Sequence, residues 1–254
     1  MIDLLARIHT APWPRPPSRP CRDPLSAALL DHRSEGNTAN TFWIKDGIRL
    51  NDNIHAEQDL QSIKKNASSG QLLQSLLWNR HDLPSLEHGW LCRHHDGFTL
   101  TGTVVASLEG RTLHCSYEVE TTSSWETRKV RITLSSGTEE QSLHLERDDD
   151  GRWWNGDTEL TAFAGMTDID LGITPSTNTL PIRRLQLEPG ESAAMTAVWI
   201  RFPSLTVAPL PQRYTRTGEF AYRYESNHGS YQADLEVDEH GLVTTYADIW
   251  SRTR

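Results

Sequence analysis

From Trp90 onward apolar residues recur at every second position, and this period restricts the fold of the chain more than any other feature. Phe98, Leu100, Gly102, Val104 and Ala106 alternate with Thr99, Thr101, Thr103 and Val105. Leu113, Cys115, Tyr117 and Val119 repeat the pattern, and Val130, Ile132 and Leu134 repeat it again. Turn pairs close the runs: Asp96-Gly97, Glu109-Gly110, Ser136-Gly137 and Asp150-Gly151. The spacing predicts an antiparallel meander. The same grammar returns later, with strands expected at Ala194 to Phe202, Leu205 to Val207, Phe220 to Ser226, Tyr231 to Val237 and Leu242 to Tyr246. A single sheet of that many strands has to curl or close to hide its edges.

One segment breaks the alternation. Thr174-Pro175-Ser176-Thr177-Asn178-Thr179-Leu180-Pro181-Ile182-Arg183-Arg184-Leu185-Gln186-Leu187 sets hydroxyls, an amide and two guanidinium groups against apolar residues. Such a mixture suits a ligand with a polar head and an apolar body. Thr174 can cap a helix and Pro175 suits its first position, whereas Pro181 removes an amide donor further on. A short or kinked helix is expected between about residues 175 and 184, then a strand at Leu185 to Glu188 and a turn at Pro189-Gly190.

This segment also carries a family resemblance, together with Asp168-Ile169-Asp170-Leu171, Pro203-Ser204-Leu205-Thr206-Val207, Gln212-Arg213-Tyr214 and Asp238-Glu239-His240-Gly241-Leu242-Val243. Over roughly residues 76 to 254 the chain resembles the bacterial glycolipid-binding family of spiral β-roll proteins. The resemblance implies a mainly β fold, a long curled antiparallel sheet around one short helix, similar in shape to the periplasmic lipoprotein carriers. The implied ligand is a glycolipid or other amphiphile, a reading that rests on shape and carries less weight than the fold.

Residues 1–75 read differently. Pro12, Pro14, Pro16, Pro17, Pro20 and Pro24, interleaved with arginines, favour extended, solvated chain. The expectation is a disordered extension, with short helices conceivable only at Leu25 to His32 and Ala56 to Lys65, preceding a β-roll domain at 76–254. A misplaced start codon accounts for this stretch better than a docking tail does, since bacterial Leu codons can serve as starts and Leu72, Leu73, Leu76 and Leu77 stand where the resemblance begins. The formal net charge of −9 argues against non-specific nucleic-acid binding. Three cysteines, Cys21, Cys92 and Cys115, form neither a CxxC pair nor a disulfide framework, and no apolar run is long enough for a signal or transmembrane segment. A cytoplasmic protein is the default reading.

Several constellations were candidates for chemistry. Glu146, Asp148, Asp150, Gly151 and Asp157 have EF-hand-like spacing, but Glu at the first position, Asp at the last and flanking strands favour an acidic hairpin turn. Cys92, His94, His95, His114 and Cys115 match no zinc signature. Neither a metal nor a cofactor is therefore expected. The sequence has no G-x-S-x-G elbow, no HExxH, no P-loop and no G-x-G-x-x-G. Asp168 and Asp170 share a face if they lie on a strand, and pairing with Arg183 or Arg184 is the expected structural role. The expected function is non-catalytic binding of an amphiphile inside the curled sheet. Thr177, Asn178, Thr179, Arg183 and Arg184 would address its head, with Asp168, Asp170, Trp153, Trp154, Gln212 and Tyr214 around them. A hydrolase using Asp168 or Asp170 is the alternative, and a ligand-free homodimer joined through a sheet edge is the third reading.

Overall fold

The computed structural model describes residues 70–253. The helices considered at Leu25 to His32 and Ala56 to Lys65 lie outside the described residues. Fifteen strands form one long, curled sheet that does not close. They are β1 (Gln71–Arg80), β2 (Ser85–Arg93), β3 (Gly97–Leu108), β4 (Arg111–Thr122), β5 (Thr127–Ser136), β6 (Glu139–Arg147), β7 (Trp153–Asn155), β8 (Thr158–Glu159), β9 (Ile169–Leu171), β10 (Ser192–Ile200), β11 (Val207–Arg216), β12 (Ala221–Ser226), β13 (Tyr231–Val237), β14 (Val243–Tyr246) and β15 (Trp250–Thr253).

Two meanders meet at a seam. From β1 the chain zigzags through β2 to β8 at one edge; β15 pairs with the other side of β1, and β14 to β10 lead away to β9 at the opposite edge. Every pairing is antiparallel except that of β9 with β10. Residues 71–75, which the sequence reading grouped with the extension, already pair with β2, across a bulge between Leu72 and Gln74.

The turn residues act as their chemistry requires. Glu109 and Gly110 both take positive φ, 52° and 75°, which matches the twist of a tight hairpin between β3 and β4. Strand β11 is longer than the expected Leu205 to Val207. Pro209 and Pro211 sit in it opposite β10, before β12 joins at Gln212, so no ladder amide is needed from either; the Pro211 carbonyl still accepts the Asn227 amide at 3.0 Å.

Inside the curl, glycines make room for aromatic rings. Gly89 and Gly102 are cross-strand neighbours. A Cβ on Gly89 would lie 2.7 Å from the Trp78 ring, and one on Gly102 would lie 2.5 Å from the Tyr117 ring. Both rings are thereby laid against the inner face, where Trp78 and Tyr117 are buried. Trp78 Nε1 donates to the Val243 carbonyl at 2.7 Å and ties the seam together.

Among the described residues one α-helix lies in this fold. A 3-10 turn at Ser176–Asn178 leads into α1 (Thr179–Leu185). Pro181 is the third residue of α1, within the first turn, where amides have no intrahelical acceptor, so the helix tolerates it. The expected strand at Leu185 to Glu188 does not form. Helix α1 runs on to Leu185 and stops when Gln186 turns left-handed, at φ 48°. The turn at Pro189-Gly190 is present, closed by the Glu191 amide on the Glu188 carbonyl at 2.9 Å.

Candidate functional site

The helical segment is pinned on both sides by its own polar residues. The Thr174 hydroxyl accepts the Ser176 amide at 3.0 Å, but the N-cap of the 3-10 turn is Pro175 and not Thr174 as the sequence suggested. Asn178 donates from Nδ2 to the Pro175 carbonyl at 2.9 Å, and its Oδ1 accepts the Tyr214 hydroxyl of β11 at 2.8 Å. Thr177 Oγ1 accepts the Leu171 amide of β9 at 3.3 Å. The turn is thus fixed against the β9 to β11 end of the sheet.

The two aspartates at the start of β9 have different partners. Asp168, 1% exposed, receives Arg184 through Nε at 3.1 Å and Nη2 at 2.6 Å. This is the carboxylate–guanidinium pairing that the sequence suggested. Among the described residues Asp170 meets no cation. Its Oδ2 accepts Gln212 Nε2 at 2.6 Å, while desolvation pushes its pKa up to about 6 against the lowering effect of that bond. Tyr214 beside it is held protonated, its pKa raised well above the usual phenol value first by burial, then by Tyr224 and then by Asp170 and Asp168.

Asp168, Ile169, Asp170, Thr177, Asn178, Pro181, Gln212 and Tyr214 line a narrow cleft with about 180 Å³ of unfilled space, its open mouth included. No water-sized space is enclosed in it, so a ligand group entering must displace the Gln212–Asp170 or Tyr214–Asn178 hydrogen bond and replace what it breaks. Six of the eleven expected binding residues meet here.

The other five lie elsewhere. Thr179 is buried, and Arg184 is taken up by Asp168. Arg183 points away from the cleft, with Nη1 on the Glu239 carbonyl at 3.3 Å and its guanidinium 5.4 Å from the centre of the Trp125 ring. Trp153 is fully buried and donates to the Met166 carbonyl at 2.9 Å. Trp154, on the opposite face of β7, donates to Asp148 at 3.0 Å beneath Arg152. The acidic stretch is a hairpin turn in which Asp148 accepts the amides of Asp150 and Arg152. Cys115 is buried, and that burial pushes its thiol up to about 12. Among the described residues no cluster of three or more His, Cys, Asp or Glu side chains could hold a metal ion.

A second polar cluster was missed. Glu87 of β2 is 2% exposed, and its Oε1 takes hydrogen bonds from Tyr117 at 2.5 Å and Thr174 at 2.8 Å; the Tyr117 hydroxyl also meets Ser176 Oγ at 2.8 Å. Oε2 is buried without a partner, and desolvation raises the pKa to about 7. The signal was present. Counting back by twos from buried Leu91 through Gly89 puts Glu87 on the core face.

Residues 75–252 match the family described as "Putative glycolipid-binding". The fold is similar to that of a DUF1089 family protein from Pseudomonas aeruginosa solved by crystallography, with TM-score 0.62 and 35% sequence identity over 68% of this chain and 95% of that one. No curated protein matches.

Proposed function

This chain belongs to the "Putative glycolipid-binding" family, and from that premise we propose that it binds, without catalysis, the hydroxyl-rich head of an amphiphile such as a glycolipid in the cleft between β9, β11 and the helical turn. The observation that carries the reading is the convergence of Asp170, Asn178, Thr177, Gln212 and Tyr214 on one opening. Carboxylate, amide and hydroxyl groups match the alternating donors and acceptors of a sugar.

The same geometry limits what is bound. Ligand pockets for drug-sized molecules measure about 300–1,000 Å³, and this cleft is smaller. Leu180 and Ile182 of α1 fill the adjoining interior. The head therefore enters the cleft while the hydrocarbon stays outside it, in contrast to the enclosed amphiphile expected from the sequence. The test is isothermal titration of the full chain with short-chain alkyl glycosides below micelle formation, beside Asn178→Leu and Gln212→Leu. Saturable binding that both substitutions weaken supports the reading. Failure of every glycoside, glycolipid and phospholipid tried to bind overturns it.

An acid–base enzyme is the second reading, favoured by one observation: Asp170, with a pKa of about 6, sits in the range where a carboxyl can give and take a proton near neutrality. Hydrolysis of glycosides by the wild-type chain and its loss in Asp170→Asn would select this reading over binding alone.

A further inference from the structure

We infer that the cleft discriminates by charge, admitting heads that donate hydrogen bonds and are uncharged or carry an amine, and rejecting anionic ones, with Asp170 as the discriminating residue. This rests on the proposed binding reading and narrows it to a ligand class. Neither arginine of the segment presents a free charge in the cleft. Arg184 is neutralised by Asp168 at 2.6 Å, and Arg183 lies against Trp125 and the Glu239 carbonyl.

The charge balance of the opening follows from its residues. Asp168 and Arg184 cancel, which leaves Asp170 as the uncompensated charge. The other titratable groups felt around it are phenols: Tyr214 on β11, Tyr224 on β12 and Tyr231 on β13, all held protonated by pKa values raised chiefly through burial. Met195 of β10 adds only a thioether, 3.8 Å from Arg184 Nη2. Asp170 Oδ2 is occupied by Gln212. Its other oxygen can accept a hydroxyl or ammonium hydrogen from a ligand, whereas a phosphate or sulfate brought to the same place meets a like charge in a desolvated setting.

The test compares octyl glucoside, octyl glucosaminide and octyl phosphate at submicellar concentration, by titration calorimetry on the full chain. At about pH 8 the glucoside and glucosaminide should bind at least about tenfold more tightly than the phosphate. Asp170→Asn should reduce that ratio to threefold or less, because the variant removes the like charge that the phosphate meets. A pH series on the wild type requires no variant, with octyl sulfate as the anion because a phosphate itself takes up a proton near about pH 6: the ratio of glucoside to sulfate binding should shrink as the pH falls through about 6, where Asp170 takes up its proton. Phosphate binding equal to or tighter than the glucoside at about pH 8, or a ratio that Asp170→Asn leaves intact, overturns the charge filter while leaving head-group binding standing. Absence of binding by all three overturns both.

Discussion

Glu87 and Asp170 are carboxyls whose surroundings favour the protonated form, and this reverses the usual effect of pH on a folded protein. For Glu87 the pKa rises from 4.5 to about 7, and for Asp170 from 3.8 to about 6, in each case through burial. A folded-state value above the unfolded one means that the native chain binds more protons. The contribution is complete below the unfolded pKa and is lost as pH climbs through the folded one. Denaturant titration should therefore show stability falling between about pH 4 and 7, by on the order of 3 kcal/mol for Glu87 alone. Glu87→Gln should flatten this slope, and a slope unchanged in that variant would show that Glu87 does not carry it. The Asp168–Arg184 pair behaves differently. Replacing Arg184 with Leu strands a carboxylate that is 1% exposed and should cost on the order of 3 kcal/mol, partly recovered when Asp168→Asn is added. Strict additivity in that cycle would reject the coupling.

At the scale of elements, α1 and the glycine pair of β2 and β3 decide where the polar groups meet. Helix α1 ends on Gln186, an exposed residue in the left-handed region at φ 48°. Gln186→Gly removes that strain and should raise stability by about 0.5–1 kcal/mol, measured by chemical denaturation. Loss of stability instead would mean that the Gln186 side chain makes a contribution larger than its backbone cost. Gly102→Ala should act in the opposite direction, because its Cβ falls 2.5 Å from the Tyr117 ring and pushes the hydroxyl away from Glu87 and Ser176.

These elements also show how far the sequence could be read. Period two and turn pairs located most strands, since alternation and positive φ are local properties. Strand β11 was cut short because prolines are compatible with a strand only where one side is unpaired, and which side is free depends on the register of β12. The site was half legible for the same reason. Residues close in sequence, Thr177, Asn178, Asp168 and Asp170, were found together, whereas the choice between Arg183 and Arg184 as partner of Asp168 depends on the helical phase of α1, and Glu87 meets Thr174 only through the curl.

At the largest scale, the described residues form a single curled sheet whose two ends are short strands, β8 with two residues and β9 with three. Because β7 covers β6 only at Glu146 and Arg147, and β9 covers β10 only from Val198 to Ile200, the rest of β6 and β10 has no strand on its outer side among the described residues, which is the backbone that the sheet-edge homodimer considered from sequence would use. Among the described residues no helix is long and apolar enough to cross a membrane. What the curl achieves is a meeting of distant parts: the turn before α1 touches β2 and β4 through Thr174 and Ser176, and β9 and β11 through Thr177 and Asn178. The cleft is the opening left at the second of these junctions. The most direct test of its role is an NMR titration of the full chain with octyl glucoside, following the side-chain amides of Gln212 and Asn178. Both amides now hold internal hydrogen bonds, so head-group binding should shift them saturably and together, with Asp170→Asn altering the response of Gln212. Amides that stay still while the glucoside binds, or shifts confined to residues outside the cleft, would contradict the account.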